Sequence, residues 1–293
     1  MGSVRGVSLT AGSGPLGERP AGRFDVALPE RVLFIEGVHP RIRGVAAGET
    51  VVDSPNAMLL HETGRLPVYH FPAAEVRTDL LAESGEREPS ARGELVWHTL
   101  TLGGREVPRA AWTYTEPAAD FLAGLIAFRW GALDEWFAEA EQLFGHPKDP
   151  YSRIDVCRTT RRVRVLLDGE VLADSRRARV LYEAALPPRW YLPVEDVDVD
   201  RLVPSGHLSR CAYKGAASYW HVRVGGRLVE DLVWSYPDPA HDAEPVRDRL
   251  CFFSEKVDIE LDGVLEERPT TQWSSSDATG AAALRGLMGR PDA

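Results

Sequence analysis

An internal repeat constrains the fold of this chain more than any other feature of its sequence. Residues 41–76 align without a gap on residues 162–197, at a constant offset of 121, and 12 of these 36 positions are identical. Residues 92–117 align on residues 214–239 at an offset of 122, with glycines, a Trp and a Tyr at matching positions. Two segments that keep their register over such lengths predict two copies of one domain of about 120 residues.

The hydrophobic pattern within each copy is typical of antiparallel β-structure. Residues 163–174, VRVLLDGEVLAD, contain an Asp-Gly turn between two short apolar segments, which is a strong signal for a hairpin. Residues 218–236 predict a second hairpin, which turns at Gly225 and Gly226. The sequence therefore predicts a mainly β chain made of two tandem small antiparallel β-domains.

The segment between the two copies differs, because its apolar residues recur at helical spacing. They are Leu133, Trp136, Phe137, Ala140 and Phe144, and Gly145 and Pro147 follow them. This pattern predicts one amphipathic helix that connects the domains.

The predicted boundaries follow from the repeat and from this helix. They are a flexible leader at 1–23, a first β-domain at 24–131, a linker with the helix and the HPKDPY segment at 132–153, a second β-domain at 154–268 and a tail at 269–293. The tail is rich in small and polar residues, so we expect it to be disordered, with one short helical turn near Leu284.

The composition is that of a globular protein and limits its partners. No apolar run approaches the roughly 18 residues of a membrane-spanning helix, so we expect no membrane association. The net charge of −10 argues against a general nucleic-acid binder, because such proteins neutralise phosphates with Lys and Arg. The N-terminal sequence lacks the apolar core of a signal peptide, and we therefore expect a cytoplasmic protein.

The three cysteines, Cys157, Cys211 and Cys251, indicate neither a disulfide nor a metal site. A reducing compartment disfavours disulfides. No two cysteines lie closer in sequence than 40 residues, whereas structural zinc sites use pairs separated by roughly two to four residues. The chain also has no dinucleotide-binding, Walker, zinc-protease or nucleophile-elbow motif. We therefore expect no metal and no cofactor.

The densest basic stretch contains Arg158, Arg161, Arg162 and Arg164. It enters the first strand of the hairpin predicted at residues 163–174. We therefore interpret these arginines as the solvated edge of a strand, and the alternative is a local phosphate site.

The clearest difference between the two copies indicates a candidate site. The second copy has Cys211, Tyr213 and Lys214 where the first copy has Pro89, Ala91 and Arg92. A lysine close to a cysteine stabilises the nucleophilic thiolate. Gly215 would let a ligand approach the backbone closely. Glu183 follows an apolar run, as Glu62 does in the first copy, so we expect its carboxylate to point into the domain, where it must find a partner or act as an acid or base.

These considerations select Cys211, Lys214 and Glu183 as candidate catalytic residues. The candidate ligand-binding residues are Tyr213, Gly215, Tyr191, Tyr219, His221, Trp234 and Tyr236. Structural roles are the alternative, because Gly favours turns, Trp and Tyr anchor small β cores, and a lone Cys is commonly buried and inert. For His221 the alternative is an exposed position on a strand.

Four segments of the second copy resemble a known family. They are DGEVLADS, YEAALPPRWYLPVEDV, CAYKGAASYW and VWSYPDP. They are similar to the bacterial domain of unknown function 427 family, which is common in actinobacteria and is sometimes labelled nucleotidyltransferase-like. The resemblance covers residues 162–263 strongly and 41–130 more weakly. It implies two compact antiparallel domains of the β-tent type.

The family has a Cys-x-Tyr-Lys-Gly pattern, which falls on residues 211–215 of this chain. Ala212 stands where the family usually has Pro, and the first copy has Arg92-Gly93 without a cysteine. The resemblance therefore implies that any activity belongs to the second copy and that the first copy is degenerate.

Three functions are compatible with these observations. The first is binding of a small anionic ligand, in which Lys214 contacts the anion and aromatic residues cover the rest of the ligand. The second is an enzyme, which uses Cys211 as a nucleophile or redox centre or has a nucleotidyltransferase-like activity. The third is a scaffold that presents sheet edges to a protein partner.

Overall fold

The computed structural model describes residues 8–184, 186–271 and 273–274. The chain divides into two compact units, and the boundary lies between Asp149 and Pro150. Each unit contains one seven-stranded and one four-stranded antiparallel sheet. The prediction of two tandem antiparallel β-domains is therefore confirmed. None of the helices among the described residues is long and apolar enough to cross a membrane.

The first unit contains the strands β1 to β11. They are β1 (Leu33–Gly37), β2 (Ile42–Ala46), β3 (Glu49–Ser54), β4 (Met58–Glu62), β5 (Val68–Pro72), β6 (Leu81–Ser90), β7 (Gly93–Leu102), β8 (Arg105–Pro117), β9 (Leu125–Phe128), β10 (Glu135–Ala138) and β11 (Glu141–Leu143). The large sheet has the order β1-β4-β5-β9-β8-β7-β6, and the small sheet has the order β11-β10-β2-β3. Short 3-10 helices lie at Ala73–Glu75, Thr78–Leu80, Asp120–Leu122 and Trp130–Ala132.

The second unit contains the strands β12 to β22. They are β12 (Ile154–Arg158), β13 (Val163–Leu167), β14 (Glu170–Ser175), β15 (Arg179–Glu183), β16 (Arg189–Pro193), β17 (Leu202–Cys211), β18 (Gly215–Val224), β19 (Arg227–Pro239), β20 (Arg249–Phe252), β21 (Asp258–Leu261) and β22 (Val264–Leu265). The large sheet has the order β12-β15-β16-β20-β19-β18-β17, and the small sheet has the order β14-β13-β21-β22. Its 3-10 helices are Val194–Asp196, Val199–Arg201 and His241–Val246. The strand order therefore repeats that of the first unit.

Both predicted hairpins of the second unit are present. Asp168 and Gly169 connect β13 to β14 with φ angles of 53° and 82°, and Gly225 and Gly226 connect β18 to β19 with 56° and 77°. Turns with two positive φ angles match the twist of the flanking strands, which explains the residue types found there.

The core of each unit contains apolar side chains from both of its sheets. In the second unit Val163 and Val165 of the small sheet cluster with Leu192 and Val222 of the large sheet, and all four are fully buried. In the first unit Trp136 stacks on Phe71 with ring centroids 5.9 Å apart.

The predicted connecting helix is wrong, because its sequence forms the hairpin of β10 and β11. Trp136 on β10 lies opposite Gly44 on β2. A Cβ atom on Gly44 would lie 2.5 Å from Leu133 and 3.0 Å from Trp136, so the missing side chain makes room for both. Pairing with β2 and burial of these residues outweigh the local helical pattern, since tertiary contacts routinely override propensity.

The predicted flexible leader also differs from the structure over its described part. Thr10 and Ala11 are fully buried, and the Thr10 carbonyl accepts a hydrogen bond from Gly64 N at 2.7 Å. Leu9 N donates to Asp149 Oδ2 at 2.6 Å. Backbone hydrogen bonds to the first unit therefore order this segment despite its Gly-rich composition. The predicted tail beyond residue 274, with the helical turn near Leu284, lies outside the described residues.

We predict that Gly93→Ala destabilises the first unit by about 2 kcal/mol or more. Gly93 has a φ of 113°, and a Cβ atom there would lie 2.2 Å from the Glu116 carbonyl oxygen. Urea unfolding followed by Trp fluorescence measures the change. Gly37→Ala is the matched control, since nothing lies within 4 Å of its Cβ position. Equal unfolding midpoints for the two variants would contradict this prediction.

Candidate functional site

The candidate site of the second unit lies at the turn between β17 and β18. Cys211 ends β17 and pairs with Gly215, which begins β18, so that Lys214 lies in the turn between them. Gly215 has a φ of 92°, and a Cβ atom there would lie 3.1 Å from the Asp238 carbonyl oxygen and 3.1 Å from Ala240 N. The backbone at the end of β19, and not a ligand, therefore makes the close approach that Gly215 permits.

The structure brings Lys214 and Glu183 together. Lys214 Nζ donates a short hydrogen bond to Glu183 Oε2, at the end of β15. Only 11% of the Lys214 side chain and 16% of the Glu183 side chain are exposed. Each of these buried charges stabilises the other, because burying an isolated charge is energetically unfavourable.

The charged state of Lys214 depends on its neighbours. Burial alone would lower the pKa of the ammonium, but Cys211, Glu183 and Tyr191 together raise this pKa above its ordinary value. The ammonium therefore stays protonated at neutral pH. Cys211 itself is half-buried.

Tyrosines and one tryptophan surround this pair. Trp234 Nε1 donates to the Tyr191 hydroxyl at 3.1 Å, and burial raises the pKa values of Tyr191 and Tyr236 well above the ordinary value. Tyr219 shares a hydrogen bond of 2.8 Å with Ser209, and burial raises its pKa to about 12. These phenols are neutral hydrogen-bonding groups at physiological pH.

The remaining two predicted residues have different surroundings. Tyr213 is buried in the core cluster. His221 lies further along β18, where its Nδ1 accepts a hydrogen bond of 3.0 Å from Asp231 N and lies 3.4 Å from Asp231 Oδ1. His221 therefore orders the backbone of β19.

A buried ion pair beside this site was not predicted from the sequence. Arg189 donates two hydrogen bonds, of 2.6 and 2.7 Å, to Glu255, and a third of 2.9 Å to Ser254. Its guanidinium lies 5.6 Å from the ring centre of Trp234 and 5.3 Å from that of Trp273. The first copy has Val68 at the position of Arg189, so the repeat offered a signal.

The first unit contains a related pair at equivalent positions. Arg92 Nε lies 3.3 Å from Glu62 Oε2, and both side chains are only 9% exposed. Glu62 also contacts Arg31 at 3.1 Å and Arg65 at 3.2 Å. The first copy therefore keeps the buried cation and carboxylate while it lacks the thiol.

His70 replaces Tyr191 in the first unit. His70 Nε2 shares a hydrogen bond of 2.9 Å with the Tyr114 hydroxyl, and His70 Nδ1 lies 3.1 Å from the Val68 carbonyl oxygen. Burial lowers the pKa of His70 to about 3. The imidazole is therefore neutral in the folded unit.

A groove of about 480 Å³ lies elsewhere on the second unit. Its lining includes Cys157, Tyr182, Trp190 and Ile259, and Arg158 lies at the same groove. None of the candidate catalytic or ligand-binding residues lines it. Within the described part of the chain, no group of three or more His, Cys, Asp or Glu residues could hold a metal ion.

We predict that Lys214→Met lowers the free energy of unfolding by about 3 kcal/mol or more, because it leaves the Glu183 carboxylate buried without its partner. Adding Glu183→Leu should restore part of this loss. The matched control is Arg162→Met, which breaks the exposed Arg162–Asp174 pair and should cost much less, because solvent screens exposed pairs. Equal costs of the two single variants in urea unfolding would refute the prediction.

His70 should make the protein sensitive to acid. Its folded pKa of about 3 lies below the ordinary value of 6.5, so protonation favours the unfolded chain. The contribution of neutral His70 to the free energy of unfolding is complete above about pH 6.5. It falls by about 1.4 kcal/mol per pH unit as the pH falls toward 3. Unfolding midpoints of the wild type should therefore fall more steeply than those of His70→Phe. Parallel pH profiles would show that His70 is not responsible.

The comparison with known families agrees with the duplicated architecture. A family described as a domain of unknown function, DUF427, matches residues 34–139 and again residues 155–263. Apart from Leu33 and Ile154, the two matches contain the strands of both large sheets, and they contain most strands of both small sheets. No curated protein shows a significant match to the chain. The chain therefore belongs to the DUF427 family and carries two tandem copies of its domain.

Proposed function

We propose that the second unit binds a small anionic ligand at Lys214. The observation that carries this proposal is the hydrogen bonding of the buried ammonium. An ammonium has three N–H donors. Among the described residues, Glu183 is the one acceptor that bonds to it. Two donors are therefore available to a ligand, and buried donors are normally satisfied.

The neighbouring side chains hold the ammonium in place and offer polar groups to a small ligand that bonds to it. Glu183 already balances one positive charge, and it fixes the ammonium at the turn between β17 and β18. The hydroxyls of Tyr219 and Tyr236 are neutral and supply hydrogen bonds around the anion. Cys211, at the end of β17, is half-buried.

The chain offers a direct test, because its only lysines are Lys148, Lys214 and Lys256. Labelling the lysine Nζ atoms with nitrogen-15 gives one NMR signal for each, and Lys214→Arg assigns the buried one. We expect acetate, succinate or phosphate to shift the Lys214 signal saturably, while the Lys256 signal stays in place as the internal control. If none of these anions moves the Lys214 signal at millimolar concentration, the proposal fails.

A second candidate function is an enzyme that uses Cys211 as a nucleophile. It is favoured by the half-buried thiol and by the ammonium of Lys214 beside it, since cationic neighbours activate cysteine nucleophiles. Nucleotidyltransferase-like activity and a scaffold role have no observation of this kind in their favour.

The rate of alkylation of each cysteine as a function of pH tests the second candidate. Cys211 should react at neutral pH in the folded wild type and more slowly in Lys214→Met, whereas buried Cys251 should react only on unfolding. A Cys211 that stays unreactive until the protein unfolds would exclude the nucleophile and leave the ligand site untouched.

A further inference from the structure

Three arginines lie on one face of the large sheet of the second unit, on the strands β12, β15 and β20. Arg158 on β12 is directly opposite Arg179 on β15, and Arg179 is opposite Tyr191 on β16. Two residues further along β16, Pro193 is opposite Arg249 on β20. Opposite residues of antiparallel strands, and residues two apart on one strand, point to the same face. Arg158, Arg179 and Arg249 therefore share a face.

This arginine cluster has little compensating negative charge. Within the described ranges, neither Arg158 nor Arg179 forms an ion pair. Arg249 donates a hydrogen bond of 2.9 Å to the Arg177 carbonyl. The nearby Asp196 already forms an ion pair with Arg177, at 2.5 Å. Burial, followed by repulsion from Arg179 and Arg177, lowers the pKa of Arg249, and attraction to Glu195 and Asp196 offsets this only in part. Positive charge is therefore in excess at this place, in a chain of net charge −10.

The first unit shows that the fold does not need these charges. In the first unit Met58 is opposite Gly37, and this pair corresponds to Arg179 and Arg158 of the second unit. Likewise Leu125 is opposite Pro72, and this pair corresponds to Arg249 and Pro193. The first copy thus has Gly, Met and Leu where the second has three arginines. Like charges directly opposite one another destabilise a sheet. The arginines therefore oppose the stability of the second unit unless an anion lies between them.

We propose that Arg158, Arg179 and Arg249 form a second binding site, for a phosphate-type anion that carries two or more negative charges. Guanidinium groups match phosphate oxygens with two parallel hydrogen bonds each, and they remain charged at any physiological pH. Arg158 and Arg179 are solvent-accessible, so an anion can reach the cluster from solution. The site is distinct from Lys214, which is buried and paired with Glu183.

Isothermal titration of the full chain with inorganic pyrophosphate tests this proposal. We expect saturable binding by the wild type, and a loss of affinity of about tenfold or more in Arg179→Gln. Arg162→Gln is the matched control, because Arg162 is an exposed arginine of the same unit that is already paired with Asp174. Both variants keep Lys214, so any anion binding at the Lys214 site is the same in the two and does not enter the comparison.

Stability in the absence of pyrophosphate provides a second measurement. Arg179→Met, which copies the first unit, should raise the melting temperature at low ionic strength, because it removes a like-charge repulsion. Absence of pyrophosphate binding by the wild type, equal affinities of Arg179→Gln and Arg162→Gln, or a lower melting temperature of Arg179→Met would each overturn the proposal.

Discussion

The buried pair of a cation and a carboxylate is the interaction on which each unit depends. In the second unit it joins Lys214, in the turn of the long β17–β18 hairpin, to Glu183 at the end of β15. In the first unit Arg92 and Glu62 make the same connection. These strands lie far apart in the sheet order, so the pair ties the end of the hairpin to the opposite side of the large sheet. Because neither charge tolerates burial alone, hairpin and sheet must assemble together.

The two copies satisfy this constraint with different chemistry, and the difference bears on function. Glu62 faces three arginines: Arg31 donates a hydrogen bond to its Oε1, while Arg65 and Arg92 lie within 3.3 Å of its Oε2 as ion pairs without a hydrogen bond. Glu183 pairs with one lysine, Lys214, and the ammonium of this lysine has further N–H donors for another acceptor. His70 in the first unit is neutral and bonded on both ring nitrogens, whereas the phenols of the second unit retain hydroxyl groups around Cys211. These differences are the reason that we propose the ligand site in the second unit.

The repeat made much of the architecture predictable, because it fixed the register of two domains and supplied a comparison at every position. The hairpins at Gly169 and Gly226 followed from local sequence, and the comparison of the two copies selected Lys214 and Glu183 as candidate residues without predicting that they bond to each other. Three features did not, for one physical reason: they depend on distant partners. Trp136 becomes part of a strand because Gly44 faces it, Thr10 is ordered by Gly64, and Arg189 meets Glu255 only in the folded sheet. Local periodicity carries no information on such contacts.

The contact between Trp136 and Gly44 has a consequence for how two similar domains fold in one chain. Two neighbouring domains with similar sequences can exchange equivalent strands during folding and become trapped in a swapped form. In the second unit Val165 stands opposite Ile259 where the first unit has Gly44 opposite Trp136. A β10 strand paired with β13 would press the indole against Val165, while a β21 strand paired with β2 would leave a void beside Gly44. This mismatch directs each strand to its own copy.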